Sequence, residues 1–218
     1  MRHAEPRGAF LVLMALGVVL VGGQEPQAAA AARSWREMRF EGVIGQADWY
    51  TCGPAAAATL LHHYFGIPAT EEEMLAKAAA VMQAGGRDPR TGITAQALVS
   101  AMGELGLTVR GYRVLAGDLA EYFHRGGLPV IVHVTRPEPH YVVVVGLVAG
   151  RWLVADPSWG RRLFDHEELL DAKGFSGVVL VPVPGPDLAP VARERQANAL
   201  AWAASRLEQL ERWGGGRL

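Results

Sequence analysis

The sequence predicts an α+β fold on three observations. Helix signals fill the first half, the hydrophobic period switches to that of strands after about residue 107, and the strand runs are short, β-branched and separated by turns. Half of the 218 residues are apolar, enough for a sizeable core in one domain of ordinary size. A formal charge of −1 with no sustained basic run argues against nucleic acid as a partner, because phosphate binding depends on clustered Lys and Arg.

Arg2 and Arg7 flank a short start, Ala9 to Val21 is apolar throughout, and Gln27 to Ala32 supplies small residues of the Ala-x-Ala type. This is the pattern of a signal peptide over residues 1–32, which implies a periplasmic or secreted protein. The apolar run is shorter than the ~20 residues of a permanent span, so membrane contact is confined to the leader if it stays uncleaved. Arg33 to Ile44, with Trp35, Met38, Phe40 and Val43 among charges, reads as an extended lead-in.

The next stretch carries the single cysteine, Cys52, in Thr-Cys-Gly-Pro followed by four alanines. Gly53 permits a tight turn, Pro54 suits a first helical position and Ala55 onward is strongly helix-forming, which predicts a helix to about Tyr64 that stops at Gly66-Ile67-Pro68. Cys52 then sits at the mouth of the helix, where unpaired N–H groups and the positive end of the dipole favour a thiolate. In an oxidising compartment a single cysteine forms no internal disulfide, so it is either a buried filler or a reactive thiol. Gln46, six residues upstream, offers a side-chain amide that can donate to a developing oxyanion. His62 and His63 lie ~15 Å along the helix from Cys52, too far to serve as its base.

Thr70-Glu71-Glu72-Glu73 is a capping box that opens a second helix through about Met82, and a third runs from Thr94 to Leu105, ended by Gly106. Residues 85–92 between them form a polar loop. Leu107 to Val114 has strand character and Asp118 to His124 reads as a short helix. Strand runs follow at Pro129 to Val134, Tyr141 to Val148 and Trp152 to Ala155, with a short one at Arg161 to Phe164, a helical turn at His166 to Asp171 and a last strand at Gly177 to Val183. The domain thus spans residues 33–183. A Pro-rich linker occupies 184–190, and 191–218 holds an amphipathic helix with Leu200, Ala203, Leu207 and Leu210 on one face, docked on the domain, and a Gly-rich tail.

Two residues of the sheet half complete a chemical set. His140 stands at the start of one strand run and Asp156 at the end of the next, so a hairpin around Ala149-Gly150-Arg151 brings them to the same edge. A thiolate nucleophile needs an imidazole to pair with it and later protonate the leaving amine, and the imidazole needs an acceptor to fix its tautomer. Cys52, His140 and Asp156 fit those roles, although a turn residue at His140 and an ordinary Asp-Pro turn opener at Asp156 are the plain structural readings. His133 competes as base but lies inside its strand rather than at the rim. The chemistry requires no metal and no cofactor.

Gln46-x5-Cys52-Gly53, the helix after it, His140 followed by an aromatic and an apolar run, and Asp156-Pro157 resemble the papain-like bacterial cysteine peptidases that process bacteriocins at double-glycine leaders. The resemblance covers about Phe40 to Pro182. It implies a papain-like cysteine peptidase fold, with Cys52 as nucleophile, His140 as base and acid, Asp156 as orienting residue and Gln46 as oxyanion donor. Well-known members are domains of transporters, whereas a leader here implies the free-standing, exported branch, part of which accompanies functional-amyloid secretion systems. The expected activity is cleavage of a peptide bond in a secreted protein or peptide substrate. A cell-wall peptide endopeptidase or amidase and a non-catalytic peptide-binding secretion adaptor stand as alternatives.

Overall fold

The computed structural model describes residues 34–214 together with Met1; the leader read over residues 1–32 and the end of the Gly-rich tail lie outside the described residues. Among the described residues no helix is long and apolar enough to cross a membrane.

The first element among the described residues is a short helix, α1 (Trp35–Arg39), where an extended lead-in was expected. The reason is a capping box: Ser34 Oγ accepts from Glu37 N at 3.2 Å while the Glu37 carboxylate accepts from Ser34 N at 2.7 Å. The central helix α2 (Cys52–Thr59) continues into a π-helical turn, Leu60–Phe65, and stops at Gly66 with φ 71°. Every residue of α2 is buried, which explains its small side chains: a helix surrounded on all sides has room only for alanine-sized groups. Helices α3 (Glu71–Ala84) and α4 (Ala95–Glu104) pack beside it, capped by Thr70 and Thr94, whose hydroxyls accept from Glu73 N and Ala97 N. A 3-10 turn, Pro89–Thr91, interrupts the loop between them.

The second half forms one antiparallel sheet of β1 (Val109–Arg113), β2 (Val130–Val134), β3 (His140–Val148), β4 (Arg151–Asp156), β5 (Gly160–Phe164) and β6 (Phe175–Pro182), ordered β1-β6-β2-β3-β4-β5. Helix α5 (Ala116–His124) links β1 to β2, and a π-helical turn (Glu168–Ala172) precedes β6.

The sheet buries both faces. On one side Ile131, Val143, Val145, Leu153 and Leu180 meet α2, α3 and α4. On the other, Val132, Val142, Val144, Trp152, Val154 and Phe164 meet Leu119 of α5 and Leu169. This is why β3 carries four consecutive valines, Val142 to Val145, rather than an alternating pattern. Helix α6 (Leu188–Gly214) starts inside the stretch read as a linker, with Pro190 in its first turn, where a missing N–H costs no helical bond. It lies on the domain: Ala192, Ala203 and Leu207 are buried, Leu200 packs on Gly146 and Leu210 stays exposed.

Candidate active site

Cys52 is the first residue of α2 and is 7% exposed. The Thr51 hydroxyl, instead of capping the helix, closes the preceding turn by accepting from Asp48 N at 3.1 Å and donating to Asp48 O at 3.0 Å. No side chain therefore caps the helix beneath Cys52. The loop before it is tied to the helical half by Ala47 N, which donates to Glu71 Oε1 at 2.7 Å. Gly53 suits a close approach: a Cβ at this position would lie 2.9 Å from Leu98 Cδ1 and 3.2 Å from Tyr141 Cδ2, so a neighbouring side chain would have to shift. Removing that Cβ lets α2 seat against both α4 and β3.

The hairpin of β3 and β4 turns through Ala149 and Gly150, with φ 48° and 75°, a two-residue connection whose positive φ values match the twist of the strands. Past the irregularity between Val144 and Gly146, Val143 pairs with Ala155, which carries the start of β3 and the end of β4 to the same edge of the sheet. His140 Nε2 lies 2.9 Å from Asp156 Oδ1, which also accepts from Ser158 N at 2.8 Å. With Nε2 committed to the carboxylate, the imidazole presents Nδ1 as its second functional atom, and Cys52 is close enough to interact with the ring. Burial by itself would lower the proton affinity of His140. The Asp156 hydrogen bond and carboxylate charge, with the influence of the neighbouring Cys52, outweigh it and raise the pKa to about 9. The balance favours the protonated ring.

Gln46 N donates to Pro157 O at 3.0 Å, which fastens the loop before Cys52 to the turn after Asp156. Its side-chain oxygen accepts from Ser158 Oγ at 2.8 Å and its nitrogen donates to Asp48 O at 2.9 Å. One amide hydrogen is used by that carbonyl, leaving a second for an acceptor in the cleft. All four residues expected from the sequence meet at one junction of helix and sheet: Cys52 beside His140, His140 on Asp156, and both Asp156 and Gln46 on Ser158.

His133, the competing base, bonds Ser176 Oγ through Nδ1 at 3.0 Å instead of a carboxylate, and burial first, then the nearby His140 charge, lower its pKa. It lines the cleft beside Cys52 all the same. His62 is exposed, while the neighbouring His63 is partly buried and lowered to about 4 by burial, His62 and Arg195. Sequence reasoning missed Ser158, whose signal was a hydroxyl two residues after Asp156 in an Asp-Pro turn. It also missed Trp49 and Trp159, exposed indoles at the rim of the cleft. Among the described residues no three His, Cys, Asp or Glu side chains converge in a way that could hold a metal ion.

Two of the cavities among the described residues border Cys52 or His140. One of about 500 Å³ is lined by Cys52, Tyr50, Ile93, His133 and Tyr141, and one of about 190 Å³ by Gln46, His140, Asp156 and Trp159. Trp49, Glu138 and Pro139 border both.

Residues 41–187 match the sequence model of the Peptidase C39 family. The chain is 29% identical over 153 residues to the probable functional amyloid protease FapD of Pseudomonas aeruginosa, a match covering 69% of this chain and 64% of that relative's length. It is also 32% identical over 142 residues to an uncharacterised protein of Methanothermobacter thermautotrophicus, covering 65% of this chain and 87% of the relative. Among solved structures it resembles a double glycine motif protease from an AMS/PCAT transporter in complex with the leader peptide, at TM-score 0.55 and 27% identity over 66% of this chain and 91% of that one. The peptidase domain of Streptococcus ComA, at TM-score 0.54 and 24% identity over 66% of this chain and 98% of that one, shares the fold. The arrangement is the papain-like one expected from the sequence, a helical half followed by an antiparallel sheet.

Proposed function

The chain belongs to the Peptidase C39 family and is a cysteine peptidase, and we propose that Cys52 is its nucleophile, His140 its general base and acid, Asp156 the residue that orients His140, and Gln46 the oxyanion donor. The observation that carries this reading is the 2.9 Å bond between His140 Nε2 and Asp156 Oδ1, with Cys52 against the same ring at the uncapped start of α2.

The reaction follows from that geometry. The Cys52 thiolate, beside the His140 imidazolium, attacks the scissile carbonyl carbon. Charge developing on the carbonyl oxygen meets the free amide hydrogen of Gln46, aided by the backbone N–H groups at the start of α2. As the tetrahedral adduct collapses, the C–N bond breaks, His140 gives its proton to the leaving nitrogen, and a thioester remains on Cys52. Water then attacks the thioester with its proton passing to His140, releasing the acid and restoring the ion pair. Asp156 holds one tautomer throughout and stabilises the imidazolium.

The substrate is a peptide segment of a secreted protein, and the enzyme acts in the periplasm or outside the cell. The leader pattern of residues 1–32 supports export. The name of the Pseudomonas aeruginosa relative supports a partner among amyloid-export components, and the leader peptide bound to the transporter protease supports a peptide as the ligand of the cleft. The test is to incubate the purified wild type and Cys52→Ala with exported proteins of the same cell, following cleavage by mass spectrometry and binding by calorimetry. Cleavage by wild type alone is expected. Binding without cleavage by both would replace the peptidase with a peptide-binding adaptor.

A further inference from the structure

The two cavities divide between the two chemical partners: Cys52 lines only the larger, and His140 only the smaller. The distinction matters because the two residues touch different halves of a substrate. The carbonyl carbon that becomes bonded to Cys52 belongs to the part before the scissile bond, and the nitrogen protonated by His140 begins the part after it. A peptide lying across the ridge of Trp49, Glu138 and Pro139 therefore places its acyl half in the larger cavity and its leaving half in the smaller.

The smaller cavity has a mixed lining. Gln46, His140 and Asp156 line it together with the charged Arg136, Glu138 and Lys173, and Val134, Val142, Phe164 and Leu169 supply its apolar floor. These four belong to the packed core on the far side of the sheet, so the floor is fixed by its surroundings rather than assembled by a mobile loop. Its volume of about 190 Å³ compares with the ~150 Å³ of an apolar cavity that holds benzene. That is room for one aromatic or branched aliphatic side chain and for little else.

We propose that this cavity is the leaving-group subsite and takes a single bulky apolar side chain, that of the residue immediately after the scissile bond. The proposal rests on the peptidase reading above, and it adds a specificity that neither the nucleophile nor its partners determine. A glycine or alanine at that position leaves the apolar floor uncovered, whereas leucine or phenylalanine covers it and holds the leaving nitrogen next to His140.

The subsite can be read without knowing the natural substrate, by running the second half of the reaction with amines in place of water. N-acetylglycine 4-nitrophenyl ester acylates a reactive cysteine, releasing nitrophenol and leaving an acetylglycyl thioester on Cys52. An added amino-acid amide then attacks the thioester carbonyl through its α-nitrogen, gives up a proton to His140, and displaces the Cys52 sulfur to form a new amide bond. Partitioning between hydrolysis and each amide, measured by mass spectrometry and corrected for the uncatalysed reaction, reports the leaving-group side alone. Leucinamide and phenylalaninamide are expected to outcompete glycinamide by about 10-fold or more. Leu169→Trp, which fills the floor from outside the reacting groups, should bring that ratio down toward 1, and the wild-type series decides by itself if that variant does not fold. A nitrophenol burst that Cys52→Ala abolishes, followed by equal partitioning to all three amides, would overturn the subsite and leave the peptidase standing. Absence of the burst in the folded wild type would overturn both.

Discussion

Ser158 Oγ lies 2.8 Å from Gln46 Oε1, on the opposite end of the amide from Asp48 O. The Asp48 carbonyl can only accept, so it fixes the NH2 end of Gln46 toward itself and the cleft, and the Ser158 hydroxyl donates to the carbonyl end that this leaves. The same residue donates its backbone N–H to Asp156. Ser158 thus links the proposed oxyanion donor to the carboxylate that holds His140. It is a positioning residue, since it reaches the reacting atoms only through others. Ser158→Ala should lower kcat by roughly 10-fold with KM little changed, the equivalent of about one neutral hydrogen bond. Gln46→Ala should lower it by roughly 100- to 1,000-fold, the usual loss for one oxyanion donor. Steady-state kinetics on one cleavable peptide separates the two; a Ser158→Ala effect confined to KM would contradict the assignment.

The pH dependence follows from His140. Its folded pKa, raised to about 9, exceeds the ~6.5 of an unfolded histidine. A raised basic group contributes stability that is complete below the unfolded value and is lost as pH climbs through the folded one, so this contribution disappears between about 6.5 and 9. Activity needs the same proton for the leaving amine and should fall over the alkaline end of that window. Asp156→Asn removes the negative charge that supports the proton, and the alkaline limb of kcat/KM should move to lower pH. A limb that stays where it was would show that Asp156 does not hold the ring.

Gly53 separates two demands on the same helix turn. An added Cβ would meet Leu98 at 2.9 Å and Tyr141 at 3.2 Å. Gly53→Ala should therefore destabilise the fold by ~1–3 kcal/mol through overpacking, read as a lower midpoint in urea. Unchanged stability would mean that α2 can shift away from α4 and β3.

Much of this architecture is legible from local chemistry. Thr70 and Thr94 announce their helices, Gly66 ends one, and Ala149-Gly150 fixes the hairpin that joins His140 to Asp156. Gln46 and Cys52 could be singled out as candidates because both lie in one short segment. What was not legible depends on distant pairing. Nothing local says that β6 inserts between β1 and β2, or that α5 and Leu169 cover the second face of the sheet. Helix α1 was missed because Trp35, Met38, Phe40 and Val43 set among charges suggest extended chain, while the Ser34–Glu37 cap, which decides the matter, is a polar signal. Ser158 was missed because its role appears only when Gln46, 112 positions earlier, is brought alongside.

Helix α6 supplies a polar clamp as well as an apolar face. Gln196 Nε2 donates to Gly127 O at 2.9 Å and to Val145 O at 2.7 Å, next to the irregularity between Val144 and Gly146 where β3 loses register with β4. Gln196→Ala removes the donor to both carbonyls and should cost ~1–3 kcal/mol of stability. Hydrogen exchange should show the loss concentrated in β3 and α6. Retention of full stability would mean that water replaces the amide at no cost.

The most direct test of the Cys52–His140 pair is the rate at which iodoacetamide alkylates Cys52, which is unambiguous because the chain has one cysteine. If His140 sustains the thiolate, the folded protein should react readily at pH 6, far below the ~8.5 at which a free thiol is half ionised, and His140→Ala should lose that reactivity while remaining folded. A Cys52 that is alkylated only after denaturation, or one whose rate at pH 6 is the same with and without His140, would contradict the account.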